Sequence, residues 1–316
     1  MGEEVAGRGD MGGAQGGPCV IGRWRSRDTR REDWRHRFWP APSVDRFIIS
    51  YPKAGRTWLR VMLAVSEAEA RSAKREIVVD EWLRDDAPAL DGSRVLFTHA
   101  LATSSKDSSG AVELFLRYIG EHRRVFLVRD PRDVVVSHFF QLTRRAGRAR
   151  DIATAGELAR DPARGIDRVL RFMSECDRSL REDPGPALLL SYEDLHRDPG
   201  GGLESVLRFF GAPVPKDGLR AAVDFGRFDN LQGLEQTGAL GGSRGRLGAR
   251  DAADPGSSKI RRGEIGSFRD YLTADDVAFV ESRIAELLPA ALGYAEPGVP
   301  PARRGQGADA LASPTT

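Results

Sequence analysis

Four short apolar runs, each ending on polar residues and interspersed with helical patterns, constrain this chain more than any other feature. Arg46-Phe47-Ile48-Ile49-Ser50 runs into Tyr-Pro-Lys-Ala-Gly. Val95-Leu96-Phe97 ends at Thr98-His99. Val125 to Val128 ends at Arg129-Asp130, and Ala187 to Leu190 ends at Ser191-Tyr192-Glu193-Asp194. Between them, Thr57 to Ala70 carries Trp58, Leu59, Met62, Leu63 and Val65 at helical spacing, with Thr57 able to cap its start. Pro131 opens a helix that runs through Phe140, as proline in a first turn should. Further helices are expected over 166–182, over Leu203 to Phe210 with a stop at Gly211, and over Ala274 to Leu288. Strands alternating with helices imply an α/β fold: a central, mainly parallel sheet with helices on both faces. Such sheets bind ligands beyond the carboxyl ends of their strands. Lys53, His99, Arg129 and Tyr192 all sit at such ends.

The flanks read differently. Residues 1–44 form a Gly- and Arg-rich arm expected to be flexible, and 295–316 a disordered tail, leaving 45–294 as the ordered domain. Within the arm, residues 23–39 hold seven arginines with Trp24, Trp34, Phe38 and Trp39. Asp28, Glu32 and Asp33 interrupt the run, which therefore reads as a solvated arm and not as a nucleic-acid surface. The net charge is only +2, so the whole chain is no strong polyanion binder. Of the 48 basic residues only five are lysines: Lys53, Lys74, Lys106, Lys216 and Lys259. Two cysteines, Cys19 and Cys176, exclude a disulfide framework and a four-thiolate zinc site. No run of about 18 apolar residues argues for a membrane helix, and no signal pattern opens the chain, so a cytoplasmic location is expected. The Gly-rich stretch from Gly238 to Ser258 is too long for an ordinary connection and is expected to be a mobile lid or a structureless loop.

Three segments suit phosphate. Tyr51-Pro52-Lys53-Ala54-Gly55-Arg56-Thr57-Trp58 is a strand–loop–helix in which backbone N–H groups and basic side chains form a cradle. It is not the nucleoside-triphosphate motif, whose lysine follows the second glycine. A surface turn with a solvated lysine is the plainer alternative. At the second junction, Arg129 at a strand tip and Ser137 two turns along a helix can converge on one phosphate, while Asp130 and Asp133 are expected to cap and orient locally. The third segment, Lys259-Ile260-Arg261-Arg262-Gly263, presents adjacent guanidiniums and backbone N–H groups to a dianion. Their plainer readings are a capped helix and a basic surface loop.

Taken together, the three segments resemble the sulfotransferase family that uses 3′-phosphoadenylyl sulfate (PAPS), in its cytosolic and bacterial branch. The resemblance spans about residues 45 to 290 and implies a three-layer, P-loop-like fold. Tyr51 to Trp58 looks like the family's 5′-phosphosulfate loop. Lys53, Gly55 and Thr57 match its lysine, glycine and second threonine, and Trp58 the tryptophan that stacks on adenine. Arg129 and Ser137 match the residues that hold the 3′-phosphate. Arg261, Arg262 and Gly263 match the clamp on that phosphate. Tyr192 matches a tyrosine that reaches the nucleotide, Phe228 a second adenine-stacking aromatic, and His99 the catalytic base. Ala54 and Arg56 stand where the family has a serine and a phosphate-contacting threonine. Arg262 replaces a lysine, and Phe97 replaces the lysine of the family's Lys-Thr-His.

The resemblance implies transfer of a sulfuryl group from PAPS, with no metal required, to a hydroxyl or amine of a small-molecule or glycan acceptor. Lys53 would serve the leaving phosphate and His99 the acceptor proton; His138 is the next candidate base. No nucleic-acid or membrane partner is expected. The family's dimer signature is not evident, which leaves the oligomeric state open. Segments 75–92, 139–165 and 234–258 would line the acceptor. Two other readings stay open: an ATP-dependent small-molecule kinase, and an inactive nucleotide-binding protein.

Overall fold

A computed structural model describes residues 44–99, 118–239, 247, 251, 253–296, 299–300 and 304–306. The 1–44 arm lies outside the described residues except for its last residue, Val44, which is buried and opens the first strand.

Six strands form one sheet: β1 (Val44–Ser50), β2 (Ala89–Leu90), β3 (Ser93–Thr98), β4 (Arg123–Val128), β5 (Ala187–Ser191) and β6 (Arg304–Gln306), in the order β2-β3-β1-β4-β5-β6. The four central strands run parallel, and β2 and β6 are antiparallel edges. The tail expected at 295–316 thus contributes an edge strand, with Ala187 opposite Gln306. Chain order reverses at β1, which has β3 on one side and β4 on the other. That reversal opens a crevice above the carboxyl end of β1.

Side chains alternate between two cores, one on each face of the sheet. Phe47, Ile49, Phe126 and Val128 pack with α3 (Pro131–Phe140), α5 (Ile166–Glu182) and α10 (Ala274–Leu287). Ile48, Val125, Leu127 and Leu190 pack with α1 (Arg56–Ala70), α2 (Arg75–Arg84), α7 (Pro199–Phe210) and α8 (Lys216–Phe225). The remaining helices are α4 (Ala155–Arg160), α6 (Tyr192–Arg197) and α9 (Phe228–Thr237). A π-turn, Gln141–Arg145, continues α3.

Several boundaries follow local chemistry. Asp130 caps α3 by accepting from the Arg132 N–H ahead of Pro131. Gly211, at φ 69°, ends α7. Thr57 is not the cap of α1. Gly55 takes that place at φ 93°, no side chain caps the helix, and Thr57 lies in its first turn. Of the 238–258 stretch, Gly238 ends α9 and residues 251 and 253–258 form a turn, while most of the segment expected to be a lid or loop lies outside the described residues. Ser257 Oγ closes the turn by donating to Asp251 O over 2.7 Å. No helix among the described residues is long and apolar enough to cross a membrane.

Candidate active site at the carboxyl ends of the strands

The strand register aligns the four predicted tips. Ile49 pairs with Thr98, Ser50 with Leu127, and Val128 with Ser191. Lys53, His99, Arg129 and Tyr192 therefore emerge side by side along one edge.

The β1–α1 loop is tight. Ala54 N–H donates to Tyr51 O, and Lys53 adopts φ 75°. A non-glycine residue held there costs on the order of 1–3 kcal/mol, a strain typical of ligand clamps. A Cβ on Gly55 would lie 2.6 Å from Tyr192 Cδ2, so both φ and the tyrosine ring require glycine. Half-buried Lys53 is pushed down to about 8, first by burial and then by the charges of Arg145 and Arg129. Arg261 adds to that push, and Glu235 opposes it.

Tyr192 joins the three phosphate-like segments. Its ring excludes any side chain at Gly55 and carries the Arg129 guanidinium 4.2 Å above its centre. Its hydroxyl donates to Gly263 O over 2.7 Å. Burial raises the phenol's pKa, which keeps that donor protonated. Trp58 packs edge-on against Tyr192, with centroids 5.8 Å apart. Arg129 also donates to Lys53 O and, over 3.0 Å, to Glu264 O. Ser137 lies two turns along α3 and is half-buried.

The third segment is held from below. Asp133 accepts from the N–H groups of Gly266 (2.8 Å) and Phe268 (3.0 Å). Asp133 acts both locally, 3.7 Å from the Arg129 guanidinium, and across 133 residues of sequence; Asp130 caps its own helix. Gly263 sits at φ 70° with Phe228 against its face, where a Cβ would meet Phe228 Cδ2 at 2.8 Å. Arg261 lies 4.2 Å over the Phe140 ring and donates to Tyr271 Oη over 2.5 Å. Arg262 shares Tyr271 Oη, donating to it over 3.3 Å, but is more exposed and is also engaged by Asp270 and, 3.2 Å away, Glu264. The two adjacent arginines thus have unlike surroundings.

His99 Nδ1 lies 2.7 Å from Ser50 O. A carbonyl only accepts, so Nδ1 carries the proton and Nε2 the lone pair. Burial, then the charge of Arg56, pulls its pKa well below 6.5; Lys259 adds to this, while the Ser50 bond opposes it. Phe97, at the position of the expected lysine, is 3% exposed and part of the core, with the Arg60 guanidinium 4.0 Å above its ring. His138 packs edge-on against Tyr51 and is pushed down to about 4 by burial and the charge of Lys53.

Sequence reasoning missed three polar groups behind these tips. Glu193 accepts from Asp130 N–H (2.9 Å) and Tyr294 Oη (2.8 Å), and burial pushes its carboxyl up to about 7. Arg132, 1% exposed, donates to Tyr294 O and Asp130. Glu235, 3% exposed, accepts from the segment before Arg261. Each carries charge in an otherwise ordinary helical pattern, and only the tertiary fold makes it a partner. No three His, Cys, Asp or Glu side chains cluster as metal ligands among the described residues.

The sulfotransferase domain family matches residues 43–290, so the chain belongs to that family. Cytosolic sulfotransferase 17 of Arabidopsis thaliana is 24% identical over 284 residues, covering 79% of this chain and 76% of that protein. Human sulfotransferase 2B1 is 26% identical over 199 residues, 60% of this chain and 52% of its own length. Two solved structures share the fold. A retinol dehydratase crystallised with androsterone and the inactive cofactor PAP has a TM-score of 0.55 and 19% identity, covering 78% of this chain and 81% of that one. A mouse sulfotransferase complexed with PAP has a TM-score of 0.50 and 18% identity, covering 78% and 84%.

Proposed function

We propose that this chain moves a sulfuryl group from PAPS to a hydroxyl or amine of a small-molecule or glycan acceptor. The observation that carries the reading is Tyr192. It ties together the lysine loop, the Arg129 strand tip and the Arg261–Gly263 segment, which match three elements of the family in separate parts of the sequence. The PAP named in the two related structures supports the same nucleotide here.

In this reading Arg129, Ser137, Arg261, Arg262 and Gly263 hold the 3′-phosphate, and Ala54 to Thr57 hold the 5′-phosphosulfate. Trp58 and Phe228 stack on adenine, and Tyr192 supports the nucleotide. The acceptor oxygen or nitrogen attacks sulfur, and the bond from sulfur to the bridging phosphate oxygen breaks. The acceptor proton passes to His99 Nε2, and the charge left on the phosphate meets Lys53. Full protonation of Lys53 is not automatic at about 8, but an adjacent anion raises it. Neutral His99 is the form a base needs.

A thermal-shift panel tests the reading. Adenosine 3′,5′-bisphosphate (PAP) in EDTA should stabilise the protein, and acceptor screening with PAPS should then yield a product heavier by one sulfuryl group. Stabilisation only by Mg-ATP would instead favour a kinase. Binding of PAP without turnover on any acceptor would favour an inactive nucleotide-binding protein.

A further inference from the structure

Glu235 sits in the last turn of α9, and its side chain is 1% exposed. A carboxylate survives such burial only when its oxygens are satisfied. One oxygen accepts from Lys259 N–H over 2.6 Å and lies 3.5 Å from Arg145 Nη1. The other accepts from Ile260 N–H over 2.9 Å and from Ser258 Oγ over 2.6 Å. The next three residues are Arg261, Arg262 and Gly263. At the other end of α9, Phe228 lies against Gly263. Between these ends, Gln232 Nε2 donates to Ile260 O over 3.4 Å. One helix therefore fastens the whole 258–263 segment along its length.

Arg145 extends the connection. It lies in the π-turn that continues α3, the helix carrying Ser137, and it donates to Ser257 O over 3.3 Å. We propose that Glu235 is the positioning residue of the nucleotide clamp: it fixes the backbone leading into Arg261–Gly263 and neutralises Arg145 beside Lys53. The inference rests on the proposed PAPS reading. It goes beyond that reading by assigning clamp geometry and local charge balance to a residue that touches neither reactant.

Two consequences separate this role from simple structural support. The first is selective: loosening the clamp should affect ligands with a 3′-phosphate and spare those without one. The second is electrostatic. The charged groups acting on Lys53 are Arg145, Arg129 and Arg261, with Glu235 opposing them; His138 faces it as a neutral ring. Removing the Glu235 charge takes away the carboxylate that opposes the arginines around Lys53, so Lys53 should lose its proton at a lower pH than about 8.

The test uses the full chain and calorimetry in EDTA with PAP and with adenosine 5′-monophosphate, across pH. Glu235→Gln should weaken PAP by about tenfold, the worth of roughly one charge-assisted hydrogen bond. The monophosphate should change by less than about twofold, and the alkaline fall in PAP affinity should move to lower pH. The double variant E235Q/R145Q removes both charges. It should return the alkaline fall towards its original position while leaving PAP weak. Should Glu235→Gln fail to fold, Glu235→Asp keeps the charge but shortens the reach; it should weaken PAP without moving the alkaline fall. Equal loss of both nucleotides, no loss of PAP, or an alkaline fall unmoved in Glu235→Gln would overturn the inference. Failure of the unmodified protein to bind PAP would overturn the PAPS reading instead.

Discussion

The donor half of the proposed site and its acceptor half are built on different principles. On the donor side, contacts are dense and span long sequence separations: Tyr192 to Gly263, Arg129 to Glu264, and Asp133 to Gly266 and Phe268. Two glycines there, Gly55 and Gly263, are required both by positive φ and by an aromatic ring. On the acceptor side, the His99 ring is held to Ser50 at the tip of its neighbouring strand, and the position two residues before it is core. A phosphate imposes fixed demands on backbone and charge. An acceptor of unspecified shape imposes few, so its side of the site can be ordinary packing.

Four predictions probe this contrast. The largest effect belongs to the acceptor side. His99→Ala should lower turnover by about 10²–10⁴-fold, the usual worth of a general base, and leave PAP affinity nearly unchanged. Steady-state rates and calorimetry on the same preparation read both. Normal turnover would move the base elsewhere, with His138 next.

Phe97→Lys, which restores the family residue, comes second. It would place an ammonium in the core against the Arg60 guanidinium that now lies 4.0 Å from the ring. Burying an unpaired charge is among the few changes that cost more than about 3 kcal/mol. Chemical denaturation should show that loss, with no gain in rate. A stable and faster variant would mean that Phe97 does face the reacting groups.

The third prediction sharpens the contrast within the donor side itself. Arg129→Ala and Arg261→Ala should each weaken PAP by about tenfold or more, from the loss of a charge-assisted contact worth roughly 1.5–3 kcal/mol. Arg262→Ala should cost less than about threefold, because that guanidinium is 36% exposed and already engaged by Asp270, Glu264 and Tyr271. Equal losses at 261 and 262 would show that Arg262 swings inward on binding.

The smallest effect is in protons. Lys53 titrates near 8 in the free protein, and an adjacent anion raises that value. PAP binding at pH about 8.5 should therefore take up a proton, seen as buffer-dependent binding heat, and the uptake at this group should vanish at pH about 6.5, where Lys53 is already protonated. His99 runs the other way. Its folded pKa lies below the unfolded value, so its contribution to stability is full above about 6.5 and is lost as pH falls through the folded value. The acid limb of turnover should accordingly lie well below pH 6.5.

What could be read from the sequence follows the same division. The four parallel strands were visible because buried runs such as Val125–Val128 end abruptly in charge. The lysine loop and the 261–263 segment were visible because their glycines and arginines sit at turns, where few other residues serve. The helices α2, α4, α6, α8 and α9 were missed, as were the edge strands β2 and β6, because they are short and their patterns mix polar and apolar residues. Asp133 looked purely local because, beside its neighbour Arg129, its backbone partners lie 133 to 135 residues away. Glu235 gave no signal at all; on a helical wheel a buried acid resembles an exposed one. The cap expected at Thr57 lies two residues earlier, at Gly55, whose positive φ starts the helix without a side-chain cap.

The central claim is that the Tyr192-linked segments form a site for a nucleotide with a 3′-phosphate. Calorimetry in EDTA, comparing PAP with adenosine 5′-monophosphate on the unmodified protein and on Arg129→Ala and Arg261→Ala, tests it most directly. PAP should bind more tightly than the monophosphate by about tenfold or more, and each substitution should largely erase that difference. Equal affinity for the two nucleotides, or binding that appears only with Mg²⁺, would contradict the account.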